Sequence, residues 1–191
     1  MKDTDNGLRI KNWRGSSPST AVDITYEDIM LTNVKNPIII DQSYGSRGGD
    51  SKVAISNVLF KNVRGTTITK DEIQFMCSKS VPCKGVSVVD VELNFVGDKG
   101  GHPSSSGGLV GALCTNANDS KVAISNVLFK NVRGTTITKD EIQFMCSKSV
   151  PCKGVSVVDV ELNFVGDKGG HPSSSGGLVG ALCTNANVIF V

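Results

Sequence analysis

Two cations stand two residues apart near the start of the chain, in the segment Asn6-Gly7-Leu8-Arg9-Ile10-Lys11. If this segment is a β-strand, alternation places Arg9 and Lys11 on one side and Ile10 on the other, toward a core. Arginine offers a planar fork of donors and lysine a point charge, a combination that suits a carboxylate-bearing ligand. The same spacing is also common on an ordinary solvated strand face, and both interpretations stay open at this point.

The carboxylates and imidazoles of the chain are poor candidates for catalysis. The neighbours Glu27-Asp28 and Asp71-Glu72 invite comparison with an acid–base pair, but adjacent strand residues point to opposite faces, so we expect separate, exposed positions. The two histidines, His102 and His171, stand in Gly/Ser/Pro-rich segments, where we expect loop residues. No Cys-x-x-Cys pair accompanies them. We therefore predict neither a metal site nor a cofactor.

The six cysteines have the spacing of an extracellular protein. Cys77-Ser-Lys-Ser-Val-Pro-Cys83 recurs as Cys146 to Cys152, and five intervening residues suit a small disulfide loop. The N-terminal residues lack the apolar segment of a signal peptide, and no run of about 18 apolar residues predicts a membrane span. The net charge of +2 comes from interleaved cations and anions, which argues against nucleic-acid binding.

The elements that position these residues include an internal duplication. Residues Asp50 to Asn118 recur without a change as Asp119 to Asn187. Folding leaves exposed positions free to vary, so such identity indicates a recent duplication, an assembly or gene-prediction error, or an engineered chain. We divide the chain into residues 1–49, copy 1 (50–118), copy 2 (119–187) and a tail (188–191).

A shorter, imperfect repeat lies inside this arrangement. The segments Ile24–Val34, Val53–Val63 and Val86–Val96 carry apolar residues at matching offsets, and they follow one another at similar intervals. Short strands rich in β-branched residues and broken by Asn, Asp or Gly are typical of a β-solenoid, in which each coil stacks on the next. We predict an all-β fold, with exposed, mobile loops at Gly45–Asp50 and Gly97–Gly108.

With these motifs the chain resembles the polygalacturonases, glycoside hydrolases that cleave α-1,4-linked galacturonic acid in pectin. The resemblance rests on Gly7-Leu8-Arg9-Ile10-Lys11, on Pro37-Ile-Ile-Ile-Asp41-Gln42-Ser43-Tyr44, and on coil segments such as Ile55-Ser-Asn-Val58 and the Cys77–Cys83 loop. It is nearest to the plant pollen-type enzymes. It implies a right-handed parallel β-helix and the C-terminal part of a monomeric, extracellular cell-wall protein that acts on galacturonan.

The resemblance also implies residue roles. Arg9 and Lys11 would bind a galacturonate carboxylate next to the scissile bond, and Tyr44 would contact the sugar, although Tyr44 also fits a plain loop aromatic. Gly45 follows Tyr44 where relatives often have cysteine, so we expect one family disulfide to be absent. By the same resemblance the partners of Cys114 and Cys183 lie further along the family sequence, and we expect each to be a free thiol unless the two pair with each other.

The catalytic aspartates of the family lie upstream of the Arg-Ile-Lys motif. This chain starts eight residues before Arg9 and contains no Asp-Asp pair that could replace them. We therefore assign no catalytic residue and expect no hydrolysis by this chain alone. A non-catalytic galacturonan-binding module, a purely structural solenoid and a truncated gene product remain as alternatives.

Overall fold

The computed structural model describes residues 1–46, 48–69, 71–97, 109–113, 124–136, 140–146, 151–164, 180–184 and 186–191. Within these ranges the regular structure consists of strands, without a helix. The strands are β1 (Asn6–Trp13), β2 (Ser19–Val34), β3 (Asn36–Tyr44), β4 (Val53–Thr67), β5 (Asp71–Met76), β6 (Cys83–Phe95), β7 (Leu109–Leu113), β8 (Ile124–Thr136), β9 (Asp140–Met145), β10 (Cys152–Phe164), β11 (Gly180–Thr184) and β12 (Ala186–Phe190).

The strands stack as successive turns of a coil. One sheet has the order β1-β3-β5-β7, a second the order β12-β10-β8-β6-β4-β2, and β9 pairs with β11. Every strand pair in these sheets is parallel. Neighbours within a sheet are therefore alternate strands along the chain, as stacked coils require. This architecture confirms the prediction of an all-β, parallel β-helix.

The duplicated segment corresponds to two coils of this stack. The separation of paired residues along the chain gives the length of each coil. Val58 of β4 pairs with Val86 of β6, which makes a short coil, and Cys83 of β6 pairs with Ile124 of β8, which makes a longer one. The short step then returns between β8 and β10, where Val127 pairs with Val155. A short and a long coil together make up one copy, so the six-stranded sheet continues from one copy into the next in the same register.

The register corrects one step of the sequence alignment. Ile24 pairs with Val58, and Val58 pairs with Val86. The predicted alignment of Ile24 with Val53, and of Val53 with Val86, is therefore wrong by five residues in its middle segment. The reason is that buried residues recur every five positions, for example at Val53, Val58 and Val63. An alignment of the segments that is shifted by five residues therefore matches the pattern equally well.

The five-residue pattern has a backbone cause. Two columns of residues with positive φ run across the six-stranded sheet, one at Asp23, Asn57, Gly85, Asn126 and Gly154, the other at Asp28, Asn62, Asp90, Asn131 and Asp159. Asn, Asp and Gly are the residues that adopt this left-handed conformation at low cost. They bend the strands without ending them, so the predicted breaks at these residues are bends inside long strands.

Glu27 and Asp28 are both exposed, as predicted, but one such bend places them on the same face and not on opposite faces. Both side chains are exposed, while Tyr26 and Ile29 on either side pack against the core. The positive φ of Asp28 interrupts the alternation of the strand, so two consecutive residues face outward. Glu27 forms an ion pair with Lys61 at 2.6 Å, and Asp28 accepts a hydrogen bond from Asn62 at 2.5 Å.

The core is a column of stacked inward side chains. Tyr26 stacks on Phe60 at 5.2 Å between ring centroids, and Phe75 of the other sheet lies between Phe60 and Phe129 at 6.3 and 6.0 Å. The disulfide Cys77–Cys83, with a Cα–Cα distance of 5.7 Å, joins the end of β5 to the start of β6. It therefore fixes the turn between the two sheets, and Cys146–Cys152 repeats it between β9 and β10.

Candidate functional site

The outer face of β1 carries three large polar or aromatic side chains in alternation. Leu8 and Ile10 are 1% and 8% exposed and face the core. Arg9, Lys11 and Trp13 occupy the alternate positions, and Trp13 is 51% exposed. Strict alternation along a half-buried strand therefore gathers a fork of donors, an ammonium and an indole on one solvent-facing surface.

A β-bulge in β3 adds a tyrosine to this surface. Lys11 pairs with Asp41, but the next pair is Trp13 with Tyr44, so three steps along β3 match two along β1. An extra residue reverses the alternation of the strand beyond it. Tyr44 therefore lies beside Trp13, with the two ring centroids 4.8 Å apart and the planes at 68°. We call Arg9, Lys11, Trp13, Asp41 and Tyr44 the β1–β3 cluster.

Arg9 is held within the cluster by Asp41. Its Nη2 donates to Asp41 Oδ2 at 3.0 Å, with the two side chains 22% and 9% exposed. The other carboxylate oxygen of Asp41 accepts hydrogen bonds from the backbone N–H and the hydroxyl of Ser43, both at 2.9 Å. The ion pair balances the charge of Arg9 and fixes the bulge that carries Tyr44.

Lys11 is the exposed cation of the cluster. Its Nζ lies 4.2 Å from the centroid of the Tyr44 ring, within the range of a cation–π contact, and the Arg9 guanidinium lies 5.2 Å from the same centroid. The ring thus limits where the flexible lysine side chain can go without neutralising its charge. An anion that approaches this face meets a positioned ammonium.

The wall opposite the cluster is tied to it through Tyr26. The Tyr26 hydroxyl donates to the backbone oxygen of Arg9 at 3.5 Å, across the interior of the first coil. Burial raises the pKa of Tyr26 above its ordinary value, because the ionised phenolate would lose hydration. The hydroxyl therefore remains a donor over the whole neutral range.

The structure brings Arg9, Lys11 and Tyr44 together in one cluster, as residues of a single site would be. Sequence reasoning missed Trp13 and Asp41. Trp13 stands two residues beyond Lys11, and the alternation that paired Arg9 with Lys11 would have found it. Asp41 depended on the β1–β3 register, which nothing local in the sequence specifies.

Other candidates give no second site in the part of the chain described here. Those residues contain no group of three or more His, Cys, Asp or Glu side chains that could hold a metal, and no helix there is long and apolar enough to cross a membrane. His102, His171, Cys114 and most of the Gly97–Gly108 loop lie outside the described residues, and Cys183 is described only as backbone in β11.

Comparison with known proteins gives the family. The profile of Glycosyl hydrolases family 28 matches residues 1–106 and 111–175. The chain belongs to this family. An exopolygalacturonase from Arabidopsis thaliana is 73% identical over 119 residues, which cover 62% of this chain and 28% of that protein. Among family 28 relatives, a polygalacturonase from Nicotiana tabacum is 42% identical over 107 residues, 53% of this chain and 27% of its own.

The extent of these matches limits what they establish. The chain spans about a quarter of the length of the curated relatives it matches. No solved structure matches it. Membership of family 28 and the parallel β-helix are therefore established for this chain, whereas an activity of the whole protein is a matter for proposal.

Proposed function

We propose that this chain is part of a pectin-degrading polygalacturonase and that its β1–β3 cluster binds galacturonan. The observation that carries the proposal is the exposed Lys11 ammonium, held 4.2 Å from the Tyr44 ring and next to the Arg9–Asp41 ion pair. Galacturonan presents a carboxylate on every unesterified sugar, and a positioned ammonium is the complementary group.

The two cations of the cluster have different tasks in this proposal. Arg9 already forms an ion pair with Asp41, so its main task is to hold the cluster together. Its partly exposed guanidinium adds at most a second contact with the substrate. Lys11 has its charge at the surface and makes the main contact with the substrate carboxylate. Tyr44 holds Lys11 in place and offers its hydroxyl to the sugar.

The cluster supplies binding and not hydrolysis. Glycoside hydrolysis by two carboxyl groups needs a pair about 5 to 9.5 Å apart, one on each side of the scissile bond. Asp41 is the carboxylate of the cluster, and its oxygens are bound by Arg9 and Ser43. We expect this chain alone to release no reducing ends from polygalacturonate above a blank at pH 4 to 7. Turnover that disappears with Arg9→Ala would contradict this division of labour.

Binding is tested by titrating the full chain with trigalacturonate in a calorimeter at several salt concentrations. We expect weak binding that falls as salt rises, because a partly exposed charge pair is screened. Lys11→Ala should weaken binding about three- to tenfold and flatten the salt dependence. Lys130→Ala removes an exposed lysine on β8 of the other sheet and is the matched control. Equal affinities of wild type and Lys11→Ala would rule out the proposed contact.

We further propose that the protein works outside the cell, in the wall where pectin is found. Its two short-range disulfides, Cys77–Cys83 and Cys146–Cys152, support this. Such bridges form and persist in oxidising compartments. Mass spectrometry of tryptic peptides from apoplastic fluid, without prior reduction, would detect both bridged loops; recovery only as free thiols from the cytosol would contradict the proposal.

A further inference from the structure

One buried amide, that of Gln42, joins three parts of the chain next to the β1–β3 cluster. Its side chain belongs to β3 and is 2% exposed. The Nε2 atom donates to the backbone oxygen of Val53 at 2.6 Å, at the start of β4. The Oε1 atom accepts a hydrogen bond from the backbone N–H of Ser78 at 3.0 Å and lies 3.3 Å from Cys83 Sγ. A single side chain therefore connects β3 with the start of the next coil and with the disulfide turn after β5.

Gln42 belongs to the β-bulge that carries Tyr44. Between Asp41 and Tyr44, β3 has two residues, Gln42 and Ser43, where β1 has one. The extra residue of a bulge is left out of the ladder of hydrogen bonds between the strands, so the ladder does not fix its conformation. The direction in which Tyr44 leaves the bulge therefore depends on how these two residues are held.

The bulge is held from both faces of the sheet. On the outer face, Asp41 Oδ1 accepts hydrogen bonds from the N–H and the hydroxyl of Ser43 at 2.9 Å, and its Oδ2 accepts one from Arg9. On the inner face, the Gln42 amide makes the bonds described above. The outer bonds lie at the cluster itself, whereas the inner bonds lead to the rest of the fold. Gln42 is thus a link through which the fold holds the cluster in place.

This link is firm because the amide is buried with both of its ends satisfied. A buried donor or acceptor that loses its partner is also without water, so breaking the bond costs more than the bond contributes. An amide side chain can donate to one backbone group and accept from another at the same time. Turning Gln42 outward would take this partner away from the Val53 oxygen and the Ser78 N–H. The bulge therefore keeps one arrangement, in which the Tyr44 ring lies against Lys11.

We propose that Gln42 is a positioning residue for galacturonan binding: its amide couples the Cys77–Cys83 turn to the bulge that presents Asp41 and Tyr44. This inference rests on the proposed binding of galacturonan by the β1–β3 cluster. It adds that the affinity depends on contacts on the core side of the sheet, at a side chain that does not touch the sugar. Loss of the amide lowers the fraction of chains with a formed site, and the apparent affinity falls by that fraction.

The first test replaces the amide. Gln42→Met keeps the length of the side chain and removes both of its polar ends, so it should weaken trigalacturonate about three- to tenfold in calorimetric titration of the full chain. Thr67→Val is the matched control, because Thr67 is also buried and its hydroxyl also makes two hydrogen bonds to the backbone, both with Thr69. Thr67 ends β4 in the six-stranded sheet, so this variant should lose stability and keep its affinity.

A pH profile separates positioning from a general loss of stability. In Gln42→Glu, the protonated carboxyl can donate to Val53 and accept from Ser78 as the amide does, whereas the carboxylate cannot donate. Burial raises the pKa of such a carboxyl. The affinity of Gln42→Glu relative to the wild type should therefore be about three- to tenfold lower near pH 8 and recover toward about pH 5. Taking this ratio at each pH removes the titration of the ligand. The same ratio for Thr67→Val should be independent of pH.

The two disulfides supply an internal comparison, since their loops are identical in sequence and both have a Cα–Cα distance of 5.7 Å. The first contacts Gln42 through Cys83, whereas the second closes the turn between β9 and β10, further along the stack. The double variant Cys77→Ala/Cys83→Ala should therefore weaken trigalacturonate about threefold. Cys146→Ala/Cys152→Ala should leave the affinity unchanged.

The outcomes distinguish the two proposals. If Lys11→Ala weakens trigalacturonate while Gln42→Met loses no more affinity than Thr67→Val, Gln42 has no positioning role and galacturonan binding by the cluster stands. A Gln42→Glu ratio that does not change with pH overturns the positioning role likewise, and equal affinities of the two cysteine double variants overturn the coupling to the disulfide. If the wild-type chain does not bind trigalacturonate, both proposals fail. Circular dichroism identifies any variant that has not folded, and if Gln42→Met is one of them, the Gln42→Glu profile decides.

Discussion

Copies 1 and 2 have the same sequence but different surroundings in the fold. In copy 1, β8 pairs with β6 along almost its whole length, from Cys83 to Asn94. In copy 2, β12 pairs with β10 only from Cys152 to Val157. Leu93 of copy 1 is accordingly 1% exposed and its counterpart Leu162 is 8% exposed. The difference shows that burial in this fold is decided by the next coil and not by the residue itself.

The comparison extends to polar contacts. Asn57 of copy 1 donates to Asp23 at 3.1 Å, whereas its counterpart Asn126 lies next to Gly85 in the same column. Asn62 and its counterpart Asn131 keep the same interaction, because each donates to an aspartate of the preceding coil, Asp28 or Asp90. Where the neighbouring coil supplies the same residue type, the two copies behave alike, and where it does not they differ.

The largest expected effect comes from the paired core leucines. Leu93→Ala should destabilise the chain by about 2 to 5 kcal/mol, because the cavity left by the shortened side chain is enclosed by coils on both sides. Leu162→Ala should cost about 1 kcal/mol less, because β12 stops before it and the surroundings can relax. Urea denaturation followed by circular dichroism measures both. Equal losses would show that the two copies are equally covered.

The disulfides give an intermediate effect that should be equal in the two copies. Replacing Cys77 and Cys83 by alanine, or Cys146 and Cys152, opens a loop of the same length, and loop-closure entropy makes each worth about 2 kcal/mol. All four cysteines are at most 1% exposed, so burial does not distinguish the pairs. The same denaturation measurement applies to both double variants, and a clear inequality would mean that the two loops are packed differently.

A smaller effect is expected at the left-handed glycines Gly85 and Gly154. Their φ angles are 61° and 63°, and an added Cβ would lie 2.9 Å from Asn57 Oδ1 and 2.7 Å from Asn126 Oδ1 respectively. Alanine at either position should cost about 1 to 2 kcal/mol, since a side chain is disfavoured in this conformation. Asparagine, which occupies the same column elsewhere, should cost less than alanine. A midpoint unaffected by Gly85→Ala would contradict the strain.

The difference between the two copies bears on which features of the fold can be predicted from the sequence. The β-branched runs and the repeat predicted a β-solenoid, because they are local signals of strand and coil, and the resemblance to polygalacturonases implied a parallel β-helix. The register was not available, since Val53, Val58 and Val63 repeat every five residues and only stacking selects among them. For the same reason Asp41 was missed in the candidate site, while Trp13 followed from alternation and was overlooked.

The two copies also show that local sequence alone does not determine the burial of a residue. A residue-by-residue prediction must assign Leu93 and Leu162 the same burial, because the repeated segments that contain them are identical. Their difference arises because β12 stops short of Leu162, whereas β8 continues past Leu93. Tertiary context of this kind is decided by what lies one coil away.

The smallest expected effect concerns the exposed lysines Lys61 and Lys130. Lys61 donates to Glu27 at 2.6 Å, and this hydrogen bond with the carboxylate raises the pKa of Lys61. Lys130 occupies the same position in copy 2 but pairs in register with Val89 and Val158. Because the pKa is raised in the folded chain, the Glu27–Lys61 contribution is present at neutral pH and is lost as the pH rises through the folded-state value. It is also screened by salt.

Lys61→Met should therefore lower the urea midpoint slightly at low salt and neutral pH, and this loss should vanish in high salt, whereas Lys130→Met should show no salt-dependent change. A salt-dependent loss of equal size for Lys130→Met would mean that the outward face of copy 2 has an ionic partner of its own, and that the two copies differ less at the surface than in the core.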